Sequence, residues 1–476
     1  EGFRVESKSY PKLHQLGSDG QYYTQTEVRE IVAYARDRGV RIVPEFDMPG
    51  HSTSWLVGYP SLAARPGPYT MAHGRGDTHG AIDPTKESTY KLLGGVIAEM
   101  AKLFPDEYFH IGGDEVEAKE WNTQPAIRSF MKQKKIANAK QLQVYFNQRI
   151  QKLVASAGKK MIGWDEIREP NLPKRVIVQS WRGQKYLAEG ARQGYAGILS
   201  AGYYLDLMHP ASQHYVVDPL GGDAAALSES ERALILGGEA AMWEELATEE
   251  NIDAKLWPRT AAIAERLWSP ATVVDVVDMY ARLGPVSKWL EWQGLTHRSA
   301  LEMMLTRLSS QIRPLADFAS ILEPVKNYER HRDGHSSLMP FNRLVDAIPP
   351  ESDEARAFDA SVASYLATKT VEGRTGLRKT LESWTARSAA LRSLLGDSEM
   401  LQELGPVADS VDIVCRIGRD ALDGSITADA LKELTEASKH HAHLILPFAD
   451  SVKKLARSEE HTSELQSHSF ISYAVF

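Results

Sequence analysis

Two acidic residues stand side by side in Phe109-His110-Ile111-Gly112-Gly113-Asp114-Glu115-Val116. The apolar run of Tyr108, Phe109 and Ile111 predicts a strand that stops at two glycines, which let the backbone turn and let another group come close. Beyond such a turn Asp114 and Glu115 need not alternate onto opposite faces of a sheet, so both can reach one cavity. Two carboxyls at a strand end suit general acid chemistry, one holding a proton while the other keeps its charge. The competing reading is a helix N-terminus, where acids only complement the dipole.

Aromatic residues recur at the ends of other apolar runs. Trp164, Trp181 and Trp243, three of the ten tryptophans, fall there together with the pair Tyr203-Tyr204. One tryptophan is more often core than site, but rings at the mouths of successive strands call for a partner that is apolar on one face and polar at its rim. A pyranose offers such a face in its C–H bonds. Paired acids in an aromatic-walled pocket read as glycoside hydrolysis.

The elements that must hold these residues follow one pattern. Thr24-Gln25-Thr26-Glu27 has the capping-box form, and Val28, Ile31, Val32 and Ala35 recur at helical spacing until Gly39. Residues 40–46 then predict a buried strand that breaks at Asp47-Met48-Pro49-Gly50-His51. A loop rich in Gly and Pro over 60–84 leads to a helix carrying Tyr90, Leu93, Val96, Ile97 and Met100, ahead of the Phe109 strand. Leu142, Phe146, Ile150, Leu153 and Val154 form the next helical stripe. Strands at 160–163, 175–179, 195–200 and 234–236 follow, each running into acids or aromatics. Six short strands alternating with helices predict a parallel sheet. A doubly wound sheet gathers its chemistry at one or two switch points. Here nearly every strand end is decorated, as the C-terminal face of a (β/α)8 TIM barrel requires. Six strands where eight are needed leave the expected barrel lacking its first two.

A length of 476 residues predicts two or three domains. Residues 1–285 are expected to form the catalytic barrel, incomplete at the N-terminus. Strand signals then vanish, and 286–456 read as an all-α C-terminal domain with helices over 298–311, 352–369, 372–395 and 428–444. Residues 457–476 resemble the in-frame translation of a common sequencing adapter and are read as a non-native tail. The opening Glu1-Gly2-Phe3-Arg4 has no starting Met, so a signal peptide cannot be judged. A net charge of −8 and no dense Lys/Arg block argue against a nucleic-acid partner. The lone cysteine, Cys415, excludes an intrachain disulfide and any multi-thiolate metal site. No apolar run approaches the roughly 20 residues that span a bilayer.

Six stretches together resemble the β-N-acetylhexosaminidases of glycoside hydrolase family 20. They are Val43-Pro44-Glu45-Phe46-Asp47-Met48-Pro49-Gly50-His51, His110-Ile111-Gly112-Gly113-Asp114-Glu115, Gly163-Trp164-Asp165-Glu166, Ser180-Trp181-Arg182-Gly183, Tyr204-Leu205-Asp206 and Glu239-Ala240-Ala241-Met242-Trp243-Glu244-Glu245. They run in family order from residue 1 to about 270, and the helical region lies outside them. The resemblance implies retaining exo-hydrolysis of terminal non-reducing β-linked N-acetylglucosamine or N-acetylgalactosamine by substrate-assisted catalysis. Glu115 is then the acid that protonates the departing oxygen and later activates water. The nucleophile is the acetamido oxygen of the substrate, which closes an oxazolinium ring, and Asp114 orients the acetamido N–H and supports the developing charge. Adjacent acids fit this scheme on physical grounds. They are poorly placed to flank a glycosidic bond from opposite sides at the ~5–5.5 Å of a two-carboxylate retaining pair.

By the same resemblance Trp164, Trp181 and Trp243 wall the pocket, Tyr204 donates to the acetamido oxygen, and Asp206 and Glu245 bind sugar hydroxyls. His51, after a Pro-Gly turn, is either a satisfied buried residue or, as the resemblance implies, stands behind the acids and tunes Glu115. Glu45 and Asp47 are either ion-pair residues of the barrel or contributors to catalysis. The family's first two strands carry an arginine that grips hydroxyls and an aspartate beside the catalytic histidine, and neither has a position in this sequence. The implied partner is an amino-sugar oligosaccharide or glycoconjugate such as chitobiose, with no cofactor and no metal, and a periplasmic or secreted bacterial location.

Two rival readings remain open. A metal-dependent barrel hydrolase would use Asp47, His51, His110 and Asp114, although no His-x-His or His-Glu-x-x-His pair is present. A non-catalytic carbohydrate-binding protein would need the aromatics but not Glu115.

Overall fold

Five of the six expected strands form along the first half of the chain: β1 Tyr108–His110, β2 Lys160–Trp164, β3 Ile177–Ser180, β4 Ala196–Leu199 and β5 Ile235–Gly238. The structure is a computed structural model that describes residues 2–74, 80–169, 171–333, 338–427 and 429–458. The strands hydrogen-bond in chain order and every pair is parallel. The sixth, expected over 40–46, is reduced to a parallel bridge between Glu45 and His110. Phe46 N–H donates to the His110 carbonyl at 3.0 Å and Met48 N–H to that of Ile111 at 3.0 Å. Pro44, two residues before Phe46, has no N–H to give a ladder and serves only as an acceptor, for His110 N–H at 2.9 Å.

Parallel neighbours need crossover connections, and helices supply them. Glu87–Leu103 precedes β1, Ala139–Ser156 joins β1 to β2, and Gln184–Arg192 joins β3 to β4. Each of the first two buries the apolar stripe read from its spacing, including Leu93, Val96 and Met100, then Leu142, Phe146 and Ile150. Thr24 and Glu27 form the expected capping box of helix Gln25–Arg36. Ile31 departs from its expected place in that stripe and lies exposed. Phe46 and Phe109 stack at 5.6 Å in the core beneath the acid turn.

The chain divides into two compact units, Glu1–Tyr203 with Val217–Glu239, and Tyr204–Val216 with Ala240–Phe476. The second is built on helices Arg259–Trp268, Val276–Trp292, Asp353–Thr368, Val371–Arg392 and Gly405–Leu422. Phe358, Trp384 and Phe448 meet in its core at centroid distances of 4.5–6.4 Å. The expected domain boundary at 285/286 falls inside Val276–Trp292, which carries Pro285 in its interior. The helix expected over 298–311 shortens to Ser299–Leu305, and that over 428–444 to Ala430–Ala437. Nor is the region wholly α. Glu323–Pro324 and Leu444–Ile445 pair antiparallel, each too short for its periodicity to register in sequence. Arg457 and Ser458 belong to a helix begun at residue 449, and the rest of the expected tail, 459–476, lies outside the described residues. No helix among the described residues is long and apolar enough to cross a membrane.

Candidate active site

The turn that follows β1 is forced by its two glycines. Gly112 and Gly113 sit at φ 64° and 95°. A Cβ on Gly112 would stand 1.8 Å from Asp47 Oδ1, so only glycine lets the Asp47 carboxyl reach the turn, where it accepts Gly113 N–H at 2.9 Å. Gln143 donates to the Gly113 carbonyl at 2.6 Å. Gly50 lies so near the acid backbone that a Cβ there would meet the Asp114 carbonyl at 2.7 Å. Glu115 and His51 both adopt φ 45°, the left-handed region that side-chain-bearing residues seldom enter. The helix that follows starts at Ala118 with Glu117 at its N-cap. Asp114 and Glu115 therefore precede its first turn and face His51 instead.

His51 Nε2 stands 3.3 Å from Asp114 Oδ2 and 3.4 Å from Glu115 Oε2. Burial pushes the Asp47 carboxyl well above the usual range, and the neighbouring charge of Asp114 pushes it the same way. Burial also pushes Asp114 up, but the hydrogen bond and charge of His51 and a hydrogen bond from Asp47 outweigh it, holding Asp114 below the usual range. The two carboxyls are thus pushed in opposite directions, Asp47 toward the protonated form and Asp114 toward the charged one. Glu115 is 59% exposed and borders a cavity of about 460 Å³ with Gly50, His51, Ala81 and Val116.

Trp164 is buried at the end of β2 and donates its indole N–H to Glu45 Oε1 at 2.9 Å. Its ring meets His110 edge-on at 5.1 Å. His110 Nδ1 accepts Gly112 N–H at 3.0 Å, so that nitrogen carries no proton, and its 3.3 Å approach to Glu45 is not a charged pair. Glu45 therefore orients the tryptophan. Asp165 does the same for the next strand end, accepting the backbone N–H of Trp181 at 3.1 Å and of Arg182 at 3.3 Å, and the Arg182 guanidinium. The Trp181 indole donates to Glu166 Oε2 at 3.1 Å. Glu166 is pushed up to about 7 by burial and by the charge of Asp165, with Arg182 pulling the other way. Tyr203 is core, its hydroxyl donating to the Val217 carbonyl at 3.0 Å.

In the second unit, Tyr204 pairs with Ala241 in a parallel bridge, which sets its ring 6.2 Å from that of Trp243. Asp206 is 3% exposed and accepts a hydrogen bond from the Tyr328 hydroxyl on Oδ2. Burial lifts Asp206 to about 6; Tyr328 opposes the lift and the charge of Glu245 adds to it. Glu245 Oε2 in turn contacts His331 Nε2 at 2.7 Å. Arg259 donates to the carbonyls of Leu205 at 2.8 Å and His209 at 2.7 Å and so fixes the backbone around Asp206. The first unit thus gathers Asp114, Glu115 and His51 and holds Trp164 and Trp181 by acids of their own. The second gathers Tyr204, Asp206, Trp243 and Glu245. Sequence reasoning missed Tyr328 and His331, because Glu329-Arg330-His331-Arg332-Asp333 reads as a solvated charge run.

Asp47, His51 and Asp114 also offer ligand atoms within 4.8 Å of one another, the core of the metal reading. Asp47 Oδ1 already accepts the Gly113 N–H, and the fourth expected ligand, His110, lies outside this cluster, with Nδ1 accepting the Gly112 N–H.

Comparison with known proteins extends this picture. A family model described as the catalytic domain of glycosyl hydrolase family 20 matches residues 1–271. The beta-hexosaminidase subunit beta of Mus musculus is 35% identical over 294 residues, 60% of this chain and 54% of that protein. The chain spans about half the length of the curated relatives it matches. Among solved structures, a chitobiase from Flavobacterium johnsoniae superposes with a TM-score of 0.91 at 38% identity, over 96% of this chain and 72% of that one. An exo β-N-acetylglucosaminidase from Vibrio harveyi, solved with N-acetylglucosamine, gives 0.57 at 29% identity, over 63% and 53%. The parallel sheet and these likenesses fit a TIM-barrel-like fold, and on the family match over more than half its length this chain belongs to glycosyl hydrolase family 20.

Proposed function

We infer that the protein is a retaining exo-β-N-acetylhexosaminidase that removes terminal non-reducing N-acetylglucosamine or N-acetylgalactosamine, with chitobiose-like oligosaccharides as substrates. The observation that carries this is the shared imidazole, His51 at 3.3 Å from Asp114 and 3.4 Å from Glu115. Two acids from one turn, both within reach of one ring, leave the opposite face of the sugar to a nucleophile that the substrate brings. Glu115, the more exposed acid, donates its proton to the glycosidic oxygen. The 2-acetamido oxygen attacks C1, the aglycone leaves, and an oxazolinium forms. Asp114, kept ionised by His51 and Asp47, accepts the acetamido N–H and supports the positive charge. Glu115, now a carboxylate, takes a proton from water as it opens the ring with net retention. Trp164, Trp181 and Trp243 pack against the sugar and its acetyl methyl, Tyr204 donates to the acetamido oxygen, and Asp206 and Glu245 accept from hydroxyls. The proposed architecture behind this chemistry is a (β/α)8 barrel, incomplete over 1–285, followed by a predominantly helical domain.

The test compares leaving groups. Glu115→Gln is expected to cripple substrates with poor leaving groups and to spare those with an activated phenol, which need no proton to depart. An equal loss on both, or none, contradicts the role of Glu115. Turnover unchanged in excess chelator is expected as well; abolition there would favour the metal reading of Asp47, His51 and Asp114. Binding without turnover in the wild type would favour the carbohydrate-binding reading.

A further inference from the structure

The chain between β6 (Glu323–Pro324) and residue 333 reaches two acids on which sugar recognition depends. Asn327 and Tyr328 are consecutive left-handed residues, at φ 54° and 56°, a conformation a tyrosine keeps only where its surroundings impose it. Those surroundings are strong. Lys326 pairs with Glu323 at 2.9 Å and donates to the Pro350 carbonyl at 2.6 Å. Asn327 N–H donates to the Leu207 carbonyl at 3.2 Å. Arg330 and Asp346 form an ion pair at 2.6 Å, both buried. The clamped segment delivers the Tyr328 hydroxyl as a donor to Asp206 Oδ2 and sets His331 Nε2 2.7 Å from Glu245 Oε2. The two rings support each other edge-on at 5.3 Å. Asp206 Oδ1 stays buried with no hydrogen-bond partner among the described residues.

We propose that Tyr328 and His331 are positioning residues for substrate recognition, each occupying one oxygen of an acid and leaving the other to a sugar hydroxyl. This rests on the reading above, in which Asp206 and Glu245 bind hydroxyls. A carboxylate is acceptor-only, and a donor fixed on one oxygen sets the plane in which the second can receive a hydroxyl. Tyr328 has a further duty. Asp206 faces Glu245, which favours its protonation, while Tyr328, the backbone N–H of Trp243 and the charge of Arg259 favour the carboxylate. Without the Tyr328 hydroxyl, Asp206 takes up a proton at higher pH and presents a donor where an acceptor is required.

The test measures kcat and KM of Tyr328→Phe, His331→Leu and His331→Gln from pH 4 to 8, on an aryl N-acetyl-β-glucosaminide and its C4 epimer. Tyr328→Phe and His331→Leu are expected to raise KM about tenfold, as for one hydrogen bond to a charged group, with kcat within about twofold. The ratio between epimers is expected to change by about threefold or more. In Tyr328→Phe the acid-side rise in KM moves to higher pH, and His331→Gln, which keeps a donor, restores most of the loss. Wild-type KM and epimer ratio in folded Tyr328→Phe and His331→Leu overturn the proposal. So does a fall in kcat and melting temperature at unchanged KM, the mark of a merely structural role. Glu115→Gln run alongside separates the failures. If it is fully active on a substrate with a poor leaving group such as chitobiose, the hexosaminidase reading falls and this proposal with it; if it is inactive there while the other variants behave as wild type, this proposal falls alone.

Discussion

In the first unit the acids assigned to the chemistry are sequence neighbours, set by a glycine turn and shared by His51. In the second, Asp206 and Glu245 are held by Tyr328 and His331, side chains from distant sequence; Tyr328 lies 122 residues beyond Asp206. The first arrangement is local. One added methyl at Gly112 would collide with Asp47, so the cluster stands or falls as a unit. The second is assembled from separate parts, and either donor can change without disturbing the acid turn. The proposed chemistry and the proposed recognition are thus built with different tolerances, and substitutions should separate them.

The largest effects belong to the acid turn. Glu115→Gln should lower kcat/KM for a poor leaving group by about 10³-fold, the scale of general acid catalysis, while sugar binding by calorimetry persists. Asp114→Asn should cost about 10²-fold on good and poor leaving groups alike, since it removes charge support from ring closure. A leaving-group dependence in Asp114→Asn equal to that of Glu115→Gln would erase the distinction drawn between the two acids.

Gly112→Ala should act on fold and activity together. It forces a Cβ into the Asp47 carboxyl at positive φ, at a cost of about 3 kcal/mol in chemical denaturation, and dislodges the Asp47–Asp114 pair. A stable, active Gly112→Ala would show that the turn is less tightly built than its contacts indicate.

The smallest effect concerns Glu166, whose carboxyl supports Trp181. Its folded pKa lies above the unfolded value, so the folded state binds the proton more tightly and loses stability as pH rises from about 4.5 through about 7. Glu166→Gln removes that penalty. It should leave stability unchanged at pH 4 and raise it at pH 8 by on the order of 1–2 kcal/mol. An equal change at both pH values would locate the effect in packing instead of titration.

The two regions also differ in how far the sequence disclosed them. Asp114, Glu115 and the need for glycine ahead of them are consecutive residues, so the physics of one turn was enough to read them. The Trp164 and Trp181 positions followed from strand ends, but the partners that orient them did not. Glu45 lies 119 residues from Trp164, and no local pattern links the two. The strand over 40–46 was legible as an apolar run, while its reduction to a single bridge followed from the missing N–H of Pro44. Tyr328 and His331 left no signal because their segment is charged and irregular. Their place depends on the buried Arg330–Asp346 pair and on contacts of Asn327 and Lys326 that arise only on folding.

The nucleophile tests the central claim most directly. Replacing the substrate's acetyl methyl hydrogens one by one with fluorine weakens the carbonyl oxygen as a nucleophile and leaves the leaving group untouched. If the acetamido oxygen attacks C1, kcat/KM of the wild-type protein on aryl N-acetyl-β-glucosaminides should fall steeply with each fluorine, and the 2-hydroxy glucoside should react orders of magnitude more slowly than the parent. A flat response across the series, with a glycosyl ester recovered on a protein carboxylate, would contradict the assignment of Asp114 and Glu115 made here.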